Sequence, residues 1–132
     1  MKKIALIVAA GKGVRMRTEL PKQFLKLNNL PVLMHTINLF IHFDKIYVVI
    51  SKEQSVYWKK LCEKYNFSVP HTICSGGKSR FESVKNGLKK ISEKNSIVAI
   101  HDGARPFASK NIIDKLMSVA SDGVGAIPIL KI

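Results

Sequence analysis

The sequence predicts an α/β fold in three layers, built on a mainly parallel sheet. Three observations predict it. Short apolar runs alternate with segments of helical period, as βαβ units require. One of those runs, Lys45–Ser51, is β-branched and apolar throughout, the pattern of a buried strand. Loops containing glycine follow three of the strands, at Gly11 and Gly13, at Gly76-Gly77 and at Asp102-Gly103. In parallel sheets ligands bind beyond the carboxyl ends of the strands, so these loops are placed to converge on one crevice.

Taken in order, Ile4–Ala10 is the first strand. Met1-Lys2-Lys3 before it gives the layout of a secretory signal, but Gly-Lys-Gly-Val-Arg is a poor cleavage-site sequel and a strand is the simpler reading. Phe24–Leu27 is a short extended piece ending in a turn at Asn28-Asn29. Pro31 opens a helix to about His42, with proline at the first helical position. After the Lys45–Ser51 strand, Ser51-Lys52-Glu53-Gln54 has capping-box form and predicts a helix to about Tyr65. Tyr57, Trp58, Leu61, Cys62 and Tyr65 share one face of it. Val69–Ile73 is a further short strand. Ser79-Arg80-Phe81-Glu82 is a second capping box, after which Phe81, Val84, Leu88 and Ile91 recur at helical spacing. Ser96–His101 is the next strand. A helix from about Lys110 to Ser121 buries Ile112, Ile113, Leu116, Met117 and Ala120, and Gly125–Leu130 reads as a final strand.

The chain has 132 residues, enough for one domain or part of one, and is 46% hydrophobic, enough for a core. No apolar run approaches the roughly 20 residues that span a bilayer, so no membrane partner is expected. Cys62 and Cys74 have neither metal-ligand nor CxxC spacing and read as free thiols of an intracellular, cytoplasmic protein. Lysine and arginine number 22 against 9 acidic residues, a formal charge of +13. Such an excess admits a basic nucleic-acid-binding module as an alternative of another class. The cations are scattered, however, as pairs such as Lys59-Lys60 and Lys89-Lys90, with no arginine-rich arm and no aromatic interleaving. A solvated lysine-rich surface that steers a small anion is the preferred reading, with no nucleic-acid partner.

The first loop, Ala9-Ala10-Gly11-Lys12-Gly13-Val14-Arg15-Met16, lacks the Walker A pattern, and methionine stands where a dinucleotide fingerprint has its third glycine. A tight strand-to-helix turn would explain the glycines alone. Arg15, and Lys22 after Pro21, favour a polyphosphate cradle, because guanidinium and ammonium groups at a strand's carboxyl end can hold phosphate oxygens. In the second loop, Ser75-Gly76-Gly77-Lys78-Ser79-Arg80, free N–H groups before a helix favour an anion or a carbonyl-bearing base. Ser79 and Glu82 there read as helix caps, whereas Arg80 and Ser83 are less committed. In the third, His101-Asp102-Gly103-Ala104-Arg105-Pro106, Asp102 either caps a turn or orients Mg²⁺ or a sugar hydroxyl. Arg105 either bonds the loop or serves a ligand. His35, His42 and His71 read as packing or surface residues, and no Ser/His/Asp or Cys/His set stands out.

Ala9-Ala10-Gly11-x-Gly13-x-Arg15-Met16, Pro21-Lys22-Gln23, Gly76-Gly77-x-x-Arg80-x-x-Ser83-Val84 and His101-Asp102-Gly103-Ala104-Arg105-Pro106 occur in this order. Together they resemble the 2-C-methyl-D-erythritol 4-phosphate cytidylyltransferases, and the related ribitol-5-phosphate cytidylyltransferases, over essentially the whole chain. The resemblance implies a Rossmann-like nucleotidyltransferase fold related to glycosyltransferase-A domains. It implies transfer of CMP from CTP to a sugar-alcohol phosphate with Mg²⁺ and release of pyrophosphate. Methylerythritol phosphate is the leading acceptor and ribitol 5-phosphate the alternative.

The resemblance puts Ala9, Ala10, Gly11 and Gly13 around the CTP phosphates and base. It makes Arg15 and Lys22 the stabilisers of the transition state. Gly77, Arg80 and Ser83 fall at the nucleotide, the glycine and serine against cytosine, and Asp102 and Gly103 near ribose, metal or acceptor. Lys78 departs from the acidic or polar residue usual in that family. Members of the family continue past residue 132 with acceptor-binding residues and a dimer arm. Residues 1–132 are therefore read as the nucleotide-binding part of one domain, C-terminally truncated. The expectation is weak CTP binding at most and no turnover by this part alone, and a homodimer at full length.

Overall fold

The computed structural model describes residues 1–11 and 20–131. Four strands form one sheet: β1 (Lys2–Val8), β4 (Lys45–Ile50), β5 (Thr72–Ser75) and β6 (Ser96–Asp102), in the order β5-β4-β1-β6 and parallel throughout. Ala5 and Ile7 face one side of β1 and Ile4 and Leu6 the other, and all are fully buried. A strand covered on both faces needs no polar alternation, which is why these strands read as apolar runs.

The order of the strands fixes the layers. From β1 the chain moves one way across the sheet, through α1 (Val32–Asn38) to β4 and through α2 (Lys52–Lys64) to β5. It then crosses back past β1 to β6 through α3 (Arg80–Lys90). Right-handed crossovers in opposite directions lie on opposite faces. Accordingly Leu33, Met34 and Ile37 of α1 and Trp58 and Leu61 of α2 pack with Ala5, Ile7 and Val48, while Val84 of α3 packs with Leu6, Tyr47 and Val49. Ile113 and Met117 of α4 (Lys110–Val119) join the first face. The reversal falls between β1 and β6, at the glycine-rich loop and at Asp102.

Between β1 and α1 lie a 3-10 turn, Lys22–Phe24, and a small antiparallel hairpin of β2 (Lys26–Leu27) and β3 (Leu30–Pro31). Asn28 and Asn29 turn it with φ of 51° and 65°, the left-handed pair that a two-residue hairpin needs. The expected extended piece is thus a turn followed by a strand.

Several expectations are corrected. α1 ends at Asn38 rather than near His42, and Pro31 is its N-cap rather than its first residue. Ser51 caps α2 by position but its side chain makes no capping bond, so that capping box is not formed. In α3 the buried residues are Ser83 and Gly87, whereas Phe81 is 75% exposed and Leu88 is also exposed. The helix lies too close to the sheet for large side chains: a Cβ on Gly87 would sit 2.6 Å from Leu6 Cδ1. In α4, Ile112 is exposed. Gly125–Leu130 forms no strand, and Ile127, Ile129 and Leu130 are exposed.

At the amino end of the sheet, Glu93 ties the α3–β6 connection to β4. Tyr47 Oη donates to its carboxylate at 2.8 Å, and Lys45 Nζ lies 3.0 Å away. The lysine first, then the tyrosine, holds the Glu93 carboxyl down at about 2. A depressed carboxyl contributes stability above its ordinary value of 4.5 and loses it as pH falls towards 2. Urea midpoints measured across that window are expected to fall more steeply for the native sequence than for Glu93→Gln. Equal slopes would show that the cluster contributes nothing.

Candidate functional site

Three backbone bonds carry the sheet's ladder one residue beyond the strands. Ala9 N–H donates to Val49 O (2.8 Å), Gly76 N–H to Ile50 O (2.9 Å) and Gly103 N–H to Val8 O (2.8 Å). The loops after β1, β5 and β6 therefore leave the sheet side by side. They enclose a cleft of ≈ 1170 Å³, whose lining includes Ala10, Gly11, Lys22, Gly77, Ser83 and Asp102. A second hollow of ≈ 1090 Å³ runs along β6 and α4 and is lined largely by apolar residues. The first lies at the reversal of strand order and gathers Lys22, Lys52, Lys78, Arg80 and Arg105, so it is the candidate site.

The small residues of the first and third loops prove to be packing residues as well as lining. A Cβ on Gly76 would stand 2.5 Å from Ala10 Cβ, and one on Gly103 would stand 2.8 Å from Ala9 Cβ and 3.2 Å from Leu33 Cδ1. Ala9 is itself buried. Alanine facing glycine lets the loops lie against each other at the cleft floor. Thr36 of α1, fully buried, donates to Gly103 O at 2.7 Å and fixes the third loop from beneath. Gly103→Ala is expected to cost about 1–3 kcal/mol, because Ala9 and Leu33 cannot both retreat in a close-packed layer. Urea unfolding measures this, and an unchanged midpoint would show that the floor tolerates the methyl.

The second loop differs from its sequence reading. Three of its N–H groups are spent: Gly76 donates to Ile50, Gly77 N–H to Ser83 Oγ (3.0 Å) and Lys78 N–H to Glu82 Oε2 (2.7 Å), while those of Ser79 and Arg80 at the start of α3 have no acceptor among the described residues. Ser79 caps α3 as expected, its Oγ accepting from Glu82 N–H at 3.1 Å, but the Glu82 carboxylate reaches Lys78 rather than closing the box on Ser79. The glycines of the loop therefore offer no donor, and the N–H groups that remain for an anion are those at the start of α3.

Across the cleft mouth, Asp102 joins the second loop to the third. Arg80 Nη2 donates to its Oδ1 and Arg105 Nε to its Oδ2, both at 3.0 Å. Both arginines are more than half exposed, so each pair contributes about 0–1 kcal/mol and does not hold the fold together. Its effect is to aim two guanidiniums. Each has five donors and spends one here, leaving others for a ligand.

Among the described residues no group of three or more His, Cys, Asp or Glu side chains could cage a metal. Asp102 accepts one arginine bond on each carboxylate oxygen and keeps a second lone pair on each. Mg²⁺ commonly keeps its waters and binds one or two carboxylates together with substrate phosphates, so a cation that enters on a triphosphate fits this donor set.

Of the expected site residues, Ala9, Ala10, Gly11, Lys22, Gly77, Arg80, Ser83 and Asp102 all line this cleft, whereas Gly103, within the third loop, packs against Ala9 and Leu33 and is not part of the lining. Gly13 and Arg15 lie outside the described residues. His35 bonds Leu27 O, and His71 accepts the Trp58 indole N–H at 3.0 Å, both packing roles. His42 follows α1 and sits 3.7 Å from Asp114. Cys62 and Cys74 are unbridged. Thr36 carried no signal in the sequence and Gln23 stood there only as part of the Pro21-Lys22-Gln23 motif; their strongest bonds are to backbone carbonyls of distant loops, Ala9 and Gly11 for Gln23 and Gly103 for Thr36. No helix of the described residues is long and apolar enough to cross a membrane.

A four-stranded parallel sheet with a cationic cleft at its reversal of strand order defines an open α/β protein with its cleft where such sheets take ligands. Residues 3–132 match the model of the 2-C-methyl-D-erythritol 4-phosphate cytidylyltransferase family, and the chain belongs to that family. It is 43% identical to a protein of that name from Bacteroides thetaiotaomicron, over all of this chain and 61% of the relative. It is 49% identical to one from Porphyromonas gingivalis, over 90% of this chain and 54% of the relative. Among solved structures it resembles 4-diphosphocytidyl-2C-methyl-D-erythritol synthase of Anaerococcus prevotii, with a TM-score of 0.69 and 29% identity over 89% of this chain and 50% of that one. The fold is thus the α/β nucleotidyltransferase fold, and the chain spans between half and two thirds of these relatives' length.

Proposed function

We propose that this chain supplies the nucleotide half of a site that transfers CMP from CTP to 2-C-methyl-D-erythritol 4-phosphate and releases pyrophosphate. One observation carries the reading: three strand-end loops and Lys22 share one cationic cleft where the strand order reverses. The attacking group in such a transfer is already a phosphate anion, so no protein nucleophile and no strong base is required. The demand is to bring two anions together and to stabilise charge growing around the α-phosphorus. Lys22, Lys52, Lys78, Arg80 and Arg105 are the described groups of the right charge, and Arg15 is their proposed partner. With the Gly76 and Gly77 N–H groups spent, that stretch of the second loop offers carbonyl acceptors, which suit the amino group of cytosine. Mg²⁺, when bound through the triphosphate, supplies further charge neutralisation. A dimer with an acceptor site beyond residue 132 belongs to the same proposal, as does the inactivity of this portion alone.

The experiment is pyrophosphate release from CTP by a protein that carries this chain within the length of its relatives. Methylerythritol phosphate is expected to support release better than ribitol 5-phosphate. The reverse preference would reassign the acceptor, and no release with either would refute the activity.

A further inference from the structure

Gln23 stands between Lys22 and Phe24 in the 3-10 turn, and successive residues of such a turn point in three directions. Lys22 is exposed in the cleft, Phe24 enters the core between Tyr57 and Trp58, and Gln23 is 4% exposed and points at the first loop. Its Nε2 donates to Ala9 O at 2.7 Å and to Gly11 O at 3.0 Å, with Gln54 Oε1 of α2 at 3.5 Å. Two carbonyls on one nitrogen require the amide's NH₂ side there. A trans peptide sets N–H opposite C=O, so the bond to Ala9 O also turns the Ala10 N–H away from Gln23. A buried amide so committed is costly to disturb.

We propose that Gln23 is the positioning residue of the nucleotide site, clamping the start of the glycine-rich loop to the segment that carries Lys22. The clamp rests on the nucleotide reading only for its consequence: loop and ammonium are held in register for one triphosphate. The bonds themselves exist without ligand. Phe24 anchors the turn to the core and Gln23 anchors the loop to the turn, so Lys22 has its place set from both sides.

The test compares Gln23→Met, similar in length but without a donor, and Gln23→Glu, whose ionised carboxylate accepts but cannot donate and would face two carbonyls. Without ligand, amide exchange at Ala9, the loop residue whose N–H donates to Val49 O, is expected to accelerate in both variants while exchange within β1 and β4 stays slow. CTP affinity, measured by calorimetry with Mg²⁺, is expected to fall about tenfold in the methionine variant and further in the glutamate variant. Unchanged loop exchange, or native affinity in Gln23→Met, would overturn the clamp. Loss of the whole fold in both variants would also overturn it, because it would make Gln23 a core residue rather than a loop clamp. If the native chain ignores CTP, the nucleotide reading fails, and the exchange data still decide whether the clamp exists.

Discussion

Lys22→Ala, in a protein carrying this chain within its relatives' length, is expected to lower pyrophosphate release from CTP by about 10²-fold or more. The residue is exposed at the cleft, so its removal leaves the core untouched. What is lost is a fixed cation opposite developing negative charge. Arg15→Ala is expected to act alike. Lys22→Arg keeps the charge but spreads it over a planar fork, and is expected to recover only part of the rate. Equal urea midpoints for native and variant proteins would establish that the loss is chemical. A rate within threefold of native would remove Lys22 from the mechanism.

Trp58→Ala is expected to cost about 3–5 kcal/mol, a large share of the roughly 5–15 kcal/mol that holds a domain of this kind. Trp58 is 1% exposed. It stacks on Phe24 with ring centroids 6.1 Å apart and lies edge-on to Phe67 and His71. Its indole N–H donates to His71 Nε2, an acceptor the variant would orphan. Because Phe24 ends the turn that carries Lys22, CTP affinity is expected to fall together with stability. Trp58 is the sole tryptophan, so circular dichroism rather than fluorescence must follow unfolding. A change below 1 kcal/mol would mean that the aromatic cluster does not anchor the turn.

The parallel sheet was legible because strands buried on both faces leave continuous apolar runs, and Lys45–Ile50 was read almost to its ends. The last expected strand failed for the converse reason. Gly125–Leu130 has the composition of a strand, but a strand needs a partner, and Pro128 lacks the N–H a ladder requires. Apolar period found Val84 and Ile91, which pack on the sheet, but it counts large side chains, so it included the exposed Phe81 and Leu88 and passed over Ser83 and Gly87, which close packing on Leu6 and Val49 selects. The first capping box failed and the second half-formed, since a side chain able to cap can also turn to another partner.

In the site, glycines and cations were visible as residue types. Which of them touch was not. Pairing of Arg80 and Arg105 through Asp102, and the packing of Ala9 on Gly103, depend on loops brought together by the crossover. Gln23 was visible only as part of a motif, and its contacts were hidden for the same reason, as both its strong partners are carbonyls outside its own turn.

A titration of the isotope-labelled 132-residue chain with CTP and Mg²⁺, followed by amide NMR shifts, addresses the nucleotide cleft itself. The largest shifts are expected at Ala10, Gly11, Lys22, Gly77, Ser83 and Gly103, with smaller ones along the second hollow at Ile112 and Val124. Shifts confined to that second hollow, or none at saturating nucleotide, would contradict the assignment of the cleft to CTP.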